Sequence, residues 1–547
     1  MQRLMLLQQP PDPLLAIKGR RILRFLPVNL SHILVELTSL KETLAFYEAI
    51  KQANIAEIED IVPAAKTLLI QYVPWLITAK ELVAILRNIE IKAIAMRQSH
   101  LLTIPVHYQG EDLHEVAELL GITATEVIRR HTEQTYQVAF TGFAPGFAYL
   151  IADKTELYVP RRKTPRTRIP AGSVGLAGEF SGVYPQQSPG GWQLIGTTEI
   201  KMWDLSREQP AFLLPGDAVQ FVDVQKAPVT VSLPEKKQSI NALSFNKDKG
   251  LCVISAGLQT LFQDEGRLGA ASMGVSASGA LDKCALHAAN RLVGNPPSLA
   301  ALEITQGGLI LKAQQDCVIA LSGADCTISL KQTTGDIAFF STYQTIDIRS
   351  GDEITVGIPT AGVRSYLAVR GGFELSPVLG SYAFDTLAQI GPRALQNGDI
   401  LHLNDDNAST GIISQEQPSF SLPKQEDIVT LDIVLGPRTD WFTEDAIKTL
   451  TSQLWQVTPQ SNRIGLRLLG DKSLERQQQQ ELSSEGTCIG AIQVPINGQP
   501  VLFLHDHPLT GGYPVIGAVA EYHLSLAGQI PINAKIRFNP ITLFQEY

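Results

Sequence analysis

Residues 172–198 read GSVGLAGEFSGVYPQQSPGGWQLIGTT, and no apolar face recurs there at helical spacing. Short apolar pieces such as Phe180 to Tyr184 and Trp192 to Ile195 are cut apart by Gly, Pro and Ser. Apolar runs of this length, bounded by turn formers, read as strands. The same texture holds from Tyr136 to Phe221, which predicts a β-rich barrel or sandwich.

Outward from this stretch the pattern changes. Residues 22–101 mix an alternating run, His32-Ile-Leu-Val-Glu-Leu37, with helix-like periodicity at 40–53 and 78–88, as expected of a small α+β module. Residues 102–225 open on a helical pattern at 113–120, and Thr123-Ala-Thr-Glu126 has capping-box spacing for a second helix ending near His131. Two polar stretches, 226–248 and 405–426, read as linkers and set off blocks at 249–404 and 427–547. Within the first of these blocks a helix is expected at 281–293, opened by Ser278-Gly279 and stopped by Gly294-Asn295-Pro296. Ser181-Gly-Val-Tyr-Pro185 followed by Pro215 to Phe221 is echoed by Thr510-Gly-Gly-Tyr-Pro514 followed by Pro531 to Phe538, which suggests related β-barrel units.

A chain of 547 residues is too long for one ordinary domain, and at about 150 residues per domain it should hold three or four. With 45 basic and 54 acidic residues and a net charge of -9, it offers no overall attraction to nucleic acid or an anionic membrane. The five cysteines, Cys252, Cys284, Cys317, Cys326 and Cys488, form no CxxC pair and suit a reducing compartment. The apolar stretch 67–77 is broken by Gln71 and Pro74. A spanning helix needs about 20 apolar residues. Pro10, Pro11 and Pro13 interrupt the N-terminal apolar patch, so no signal peptide is read and a soluble, cytoplasmic protein is expected.

Chemistry concentrates in a few places. Arg161, Arg162, Lys163, Arg166 and Arg168 crowd one proline-stiffened segment of an acidic chain. Gly172-Ser173 and Ser188-Pro-Gly-Gly191 offer nearby backbone amides, so the segment reads either as a nest for a small anion or as a solvated loop. The aromatic loop GFAPGFAYL at 142–150 would line an apolar pocket or simply pack a turn. Asp264, Arg267, Asp282 and Glu303 lie among glycine-rich loops. Carboxylates beside arginine can act as acid or base, and structural ion pairs have the same composition. His505 and His507 would share a strand face and could begin a metal site, but no third ligand is evident and no metal is expected. Phosphate-loop, GxGxxG, GxSxG and HExxH patterns are absent.

The longer motifs carry a resemblance. GFAPGFAYL at 142–150, PRRKTPRTRIPAGSVGLAG at 160–178 and SGVYPQQSPGGWQLIGTT at 181–198 resemble the B-type 5-oxoprolinase family, also called Kip-inhibitor or allophanate hydrolase subunit 1. QDEGRLG at 263–269, GVSASGALD at 274–282, AANRLVGN at 288–295, RSYLAVRGGF at 364–373, SNRIGLRLLG at 461–470, GAIQVPINGQP at 490–500 and HDHPLTGGYP at 505–514 resemble the C-type family, the Kip-antagonist or allophanate hydrolase subunit 2. The chain therefore looks like a B-then-C fusion of two 5-oxoprolinase subunits.

The resemblance implies a mainly β protein with a small α+β N-terminal domain and cyclophilin-like β-barrels in tandem. It implies ATP-dependent opening of 5-oxo-L-proline to L-glutamate with a separate A-type 5-oxoprolinase partner, and magnesium entering as the ATP complex. It leaves open a non-catalytic regulator of a sensor histidine kinase. It also leaves open a carboxyltransferase related to urea carboxylase, although the Ala-Met-Lys-Met segment of a biotin carrier is absent, so no covalent biotin is expected. A homo-oligomer is compatible with either. On this reading Arg161 and Arg166 hold a small anionic substrate or a phosphate, aided by Gly172 and Ser173, while Asp264, Arg267, Asp282 and Glu303 supply acid, base or electrostatic roles. Where the C-type family has Gly-Ser-Arg-Ser-Thr, this chain has Gly380-Ser-Tyr-Ala-Phe384, and GGxxGR is reduced to Ile390-Gly-Pro-Arg393.

Overall fold

The alternating run at 32–37 forms the strand His32–Glu36, the second in an antiparallel sheet ordered Arg24–Pro27, His32–Glu36, Thr67–Tyr72, Ile58–Pro63. Ile33 and Val35 face helices Leu40–Ala53 and Ala79–Arg87, packing with Phe46, Ile50, Leu82 and Leu86. Leu34 and Leu69 face the other way, into a second buried cluster with Val501, Phe503 and Val515 of the C-terminal block. A sheet buried on both faces has no polar side to show, which is why Ile33, Leu34 and Val35 run on without a break. Both helices begin where the residues direct: Ser39 accepts from the amide of Glu42, and Thr78 and Glu81 form a reciprocal capping box.

The structure is a computed structural model that describes residues 23–226 and 249–547, apart from 91–100, 153–155, 163, 165, 405–410, 414 and 481. The expected linker at 226–248 falls outside the described residues except for Lys226. None of the described helices is long and apolar enough to cross a membrane. All five cysteines are free thiols.

The stretch 172–198 contributes Ser173–Ala177, Phe180–Val183, Ser188–Gly190 and Gln193–Thr197. Three of these join a seven-stranded sheet that runs on through Ala148–Ala152, Thr135–Thr141 and Ala218–Asp223 to Leu101–Val106. Helices Leu113–Leu120 and Ala124–Glu133 close over its core through Val116, Ala117 and Val127. In the next block, a six-stranded and a five-stranded sheet enclose a core that includes Val253, Leu311, Ile319, Ile354 and Leu367. Helix Lys283–Leu292 covers the outer face of the five-stranded sheet, where Ala285, Leu286 and Ala289 meet Ala320, Tyr366 and Ala368. That helix opens at Asp282, whose carboxylate accepts from the amide of Ala285 at 3.0 Å. The Ser278-Gly279 start expected from sequence is therefore four residues early: Ser278 has φ of +55° and turns the preceding loop instead.

The last block is a closed barrel of seven strands, ordered Ile428–Leu435, Val515–Val519, Ala491–Gln493, Val501–Phe503, Gly465–Leu469, Trp455–Val457, Lys535–Thr542. Its closing strand runs parallel to its opening strand, and Ala218–Asp223 runs parallel to Leu101–Val106 in the same way. These are the two parallel pairings among the described residues, and they give the weak sequence echo a topological counterpart.

The N-terminal sheet is fastened to the barrel by Arg438, which is 2% exposed. It donates to Glu36 at 3.0 Å and also grips Glu485, itself nearly buried. Removing one partner of a buried ion pair costs about 3–5 kcal/mol, because the other charge is left unpaired. Arg438→Met should lower the urea unfolding free energy by that order, and Arg438→Met with Glu485→Leu should lose clearly less. Equal losses in the two variants would contradict the pairing.

Candidate active site

Strand Gln259–Gln263 ends at a glycine-rich loop, residues 264–282, which folds against a second loop, residues 378–391. Asp264 holds the two together: its carboxylate accepts from Ser381 Oγ at 2.6 Å and from the amides of Tyr382 and Gly266 at 2.7 and 2.8 Å. Arg267 is 2% exposed. Its Nη2 donates to the carbonyl of Ala383, while Nε and Nη1 have no hydrogen-bond partner. Burial lowers its pKa, more than Asp385, Asp264 and Asp506 raise it. Asp385 accepts from Ser276 Oγ at 2.6 Å and from the amides of Leu387 and Ala388 at 2.8 Å. Burial, with Asp506 adding to it, pushes the Asp385 carboxyl up to about 6.

Asp282 and Glu303 belong to a neighbouring network. Tyr366 donates its hydroxyl proton to Glu303 at 2.7 Å and accepts from the amide of Asp282 at 2.8 Å. Gln529 of the barrel block donates to Asp282 at 2.9 Å. Burial raises the Asp282 carboxyl to about 6, against the hydrogen bonds from Gln529 and Ala285. Glu303 is paired with Arg463, a barrel-block residue that also reaches Asp506 at 2.9 Å and the carbonyl of Gly279 at 2.7 Å. Asp506 accepts in turn from Ser278 Oγ at 2.6 Å and from Thr386 Oγ1 at 2.6 Å. Burial opposes its ionisation, and the Arg463 guanidinium prevails, holding it below the usual carboxylate range. Arg463, Asp385 and Asp506 were not anticipated as site residues. No local signal marks Arg463, which follows Ser461-Asn462, or Asp506, which stands between two histidines.

The N-terminal half reaches the same loops. Thr141 Oγ1 donates to the carbonyl of Ser272 at 2.8 Å, the amide of Gly146 to that of Met273 at 2.9 Å, and the amide of Phe143 to Thr510 Oγ1 at 3.1 Å. A Cβ added to Gly274, whose φ is +77°, would lie 2.7 Å from the carbonyl oxygen of Ala144, so only glycine admits this approach. The rings of GFAPGFAYL pack among themselves: Phe147 meets Tyr149, Tyr184 and Trp192 edge-on at 5.1–5.3 Å. This loop is a packed seat between the halves.

The basic segment departs from the expected anion nest. Arg166 grips Asp112 with both terminal nitrogens, at 2.9 and 2.7 Å, and Arg162 reaches Asp112 at 2.7 Å and Glu115 at 3.0 Å. Two arginines are thus engaged by carboxylates at the start of the adjacent helix. The amide of Gly172 donates to the carbonyl of Tyr184 at 2.8 Å and that of Ser173 to Pro170 at 3.4 Å, so neither points at a ligand. Gly172 is required by its turn, since at φ of +80° a Cβ would lie 2.3 Å from the Thr198 carbonyl oxygen. Lys163 lies outside the described residues. Arg161 turns to the junction, where it donates to Ser484 Oγ at 3.4 Å.

His505 and His507 do not share a strand face, because the strand ends at Phe503 and both lie in the turn beyond it. His507 Nδ1 lies 2.9 Å from the carbonyl of Pro508, and His505 Nδ1 has no hydrogen-bond partner. Among the described residues no group of three His, Cys, Asp or Glu could hold a metal ion. Two surface concavities of about 290 and 800 Å³ lie in the middle block, beside Arg349 and Tyr343 respectively, and none of the expected site residues lines either.

Residues 273–540 match the family model described as carboxyltransferase domain, subdomain A and B, and residues 23–213 match carboxyltransferase domain, subdomain C and D. Over 291 residues the chain is 37% identical to the C-type 5-oxoprolinase protein of Escherichia coli (strain K12), covering 53% of this chain and 90% of that relative. The chain belongs to the carboxyltransferase-domain family of the 5-oxoprolinase subunits. A further 128 residues are 46% identical to the B-type 5-oxoprolinase protein of Escherichia coli O157:H7, covering 23% of this chain and 59% of that relative. The crystal structure of the protein TTHA0988 superposes on this family member with a TM-score of 0.80 at 32% identity, covering 93% of this chain and 100% of that one. A B-like part and a C-like part within one carboxyltransferase-family chain are consistent with a fusion.

The buried groups set a pH profile. Burial lowers His131 to about 3 and His507 to about 4, and takes His505 well below its ordinary value. Below pH about 6.5 the unfolded chain protonates these rings and the folded chain does not, so their contribution is lost as pH falls. Asp282 and Asp385, raised to about 6, act oppositely, keeping protons that the unfolded chain gives up above pH about 4. His32 is also lowered to about 3, and Glu36, Glu265 and Asp506 are held below their ordinary values, so the groups that lose stability as pH falls outnumber the raised carboxyls, Asp60 and Glu485 included, and the net is a loss from pH 6.5 down to about 4. Asp385→Asn removes one opposing proton and should steepen this acid loss by up to about 1.4 kcal/mol per pH unit in urea titrations. Parallel curves would mean that Asp385 is ionised in the folded chain.

Proposed function

We propose that the chain is the combined B-type and C-type component of an ATP-dependent 5-oxoprolinase, opening 5-oxo-L-proline to L-glutamate with a separate A-type partner. The observation that carries this reading is the seam itself. Parts that are named as distinct 5-oxoprolinase subunits in the relatives meet here in one chain, with the loop 142–147 seated on residues 271–274 and Thr510. An unstrained lactam resists water, and phosphorylating its oxygen makes a better electrophile. ATP, as its magnesium complex, is the phosphoryl source.

In this reading Asp282 exchanges a proton near neutral pH, as a carboxyl raised to about 6 is suited to do. Asp264 fixes the loop that carries Arg267, and Glu303 positions Asp282 through Tyr366. Arg161 at the seam is the candidate for the substrate carboxylate. Arg166, tied to Asp112, is left with a structural role.

The test is reconstitution of the whole chain with an A-type 5-oxoprolinase partner, ATP and 5-oxo-L-proline, measuring glutamate. Asp282→Asn keeps an oxygen to cap the helix. It should lower turnover by about 10²-fold, as loss of a general acid–base does, with little change in melting temperature. Absence of glutamate, together with inhibition of a sensor histidine kinase's autophosphorylation, would replace the enzyme reading with the regulatory one.

A further inference from the structure

We infer that Arg267, with Gln263, forms a subsite for the amide group of a small substrate, the guanidinium receiving the carbonyl oxygen of a lactam or urea. The inference rests on the reading of this chain as acting on a cyclic amide, and it adds which atoms meet the group that reacts.

The buried guanidiniums of Arg463 and Arg267 lie around these loops and are treated differently by the fold. Arg463 is fully engaged, with Nε, Nη1 and Nη2 directed to Asp506, Glu303 and the Gly279 carbonyl. Arg267 is just as buried, at 2% exposed, yet only Nη2 is engaged and both Nε and Nη1 lack a partner. Among the described residues, no other arginine has two such buried nitrogens. Leaving polar hydrogens of a buried cation unpaired costs several kcal/mol, and folded chains seldom carry that cost without a use for the group.

Gln263 gives a second, independent indication. It is fully buried, its Nε2 donates to the carbonyl of Phe384 at 2.8 Å, and its Oε1 has no partner. Arg267 is anchored on the carbonyl of the preceding residue, Ala383. A strand-end side chain and one from the loop that follows it, fixed to consecutive carbonyls of a second loop, therefore present unpaired donors and an unpaired acceptor. An amide carries the complementary pair on adjacent atoms, a carbonyl oxygen that accepts and an N–H that donates.

Charge selects against a full anion at this point. Asp264, Asp385 and Asp506 all act electrostatically on Arg267. They would repel a carboxylate or phosphate and would tolerate a neutral carbonyl. As that oxygen gains negative charge when a nucleophile adds to the carbonyl carbon, a buried cation already in place stabilises it more than it stabilises the ground state.

Isothermal titration of the whole chain with 5-oxo-L-proline, 2-pyrrolidinone and urea tests the inference. Wild-type chain should bind both lactams. Arg267→Met should weaken both at least tenfold while the melting temperature holds or rises, because two buried nitrogens without hydrogen-bond partners have been replaced by an apolar chain of similar length. Gln263→Leu should weaken them in the same direction. If wild type binds none of the three probes, or if Arg267→Met lowers the melting temperature and leaves lactam affinity intact, the inference is overturned. Should Arg267→Met fail to fold, Arg267→Lys and Gln263→Leu decide, and unchanged affinity in both overturns it. Urea binding that depends on Arg267, without lactam binding, would keep the amide subsite and reject the oxoprolinase reading.

Discussion

The Arg463 guanidinium, buried between two carboxylates from different blocks, is the interaction on which the junction depends. Glu303 belongs to the five-stranded sheet and Asp506 to the turn beyond a barrel strand, and Arg463 pairs with both. Each carboxylate then holds something else: Glu303 the amide of Leu281 and the Tyr366 hydroxyl, Asp506 the side chains of Ser278 and Thr386. Two loops and the start of helix Lys283–Leu292 are thereby positioned from one cation. A buried triad of this kind contributes little net stability over a well-packed apolar substitute. Its contribution is register: neither block can slide without leaving an unpaired charge in a site closed to water.

That register lets three blocks meet in one place. Asp264, through Tyr382, and Asp385, through Ser276, fasten the loops to each other within the middle block, Gln529 fastens Asp282 to the barrel block, and the Gly274–Ala144 approach seats the N-terminal half. The fastenings are hydrogen bonds and ion pairs, with apolar packing behind them at Leu26, Leu34 and Leu69 against Val501, Phe503 and Val515. Polar contacts set angle and register, and apolar area supplies the adhesion.

Elements whose signals are local were legible in the sequence. Helices Leu40–Ala53, Ala79–Arg87 and Leu113–Leu120 lie where periodicity and caps put them, and the β texture of 136–221 is a β sheet. What could not be read depends on distant partners. Arg166 looked like an anion ligand because five basic residues crowd 161–168, and the carboxylate that engages it, Asp112, is more than fifty residues away in sequence. Gly172 looked like part of a nest, and it serves a turn whose crowding comes from Thr198. Asp264, Arg267, Asp282 and Glu303 were picked out by their glycine-rich setting and do converge on one junction. Arg463, which ties Glu303 to Asp506, was not picked out, since a lone arginine in an apolar strand pattern gives no sign of being buried.

Covalent connection bears on how strong the seam must be. Two separate subunits lose translational and rotational freedom on association, a cost of several kcal/mol or more that the interface must offset. In a single chain most of that loss is already met by the peptide link, and the local concentration of one half around the other is set by the connecting segment. A seam can then be lean. In this one, hydrogen bonds from the Gly146 and Phe143 amides, the glycine contact at Gly274 and the buried Arg438 add direction to the apolar packing of Leu26, Leu34 and Leu69 against Val501, Phe503 and Val515. Such a seam can be shaped by the needs of the site it encloses, including the cost of keeping Arg267 buried with two unpaired nitrogens.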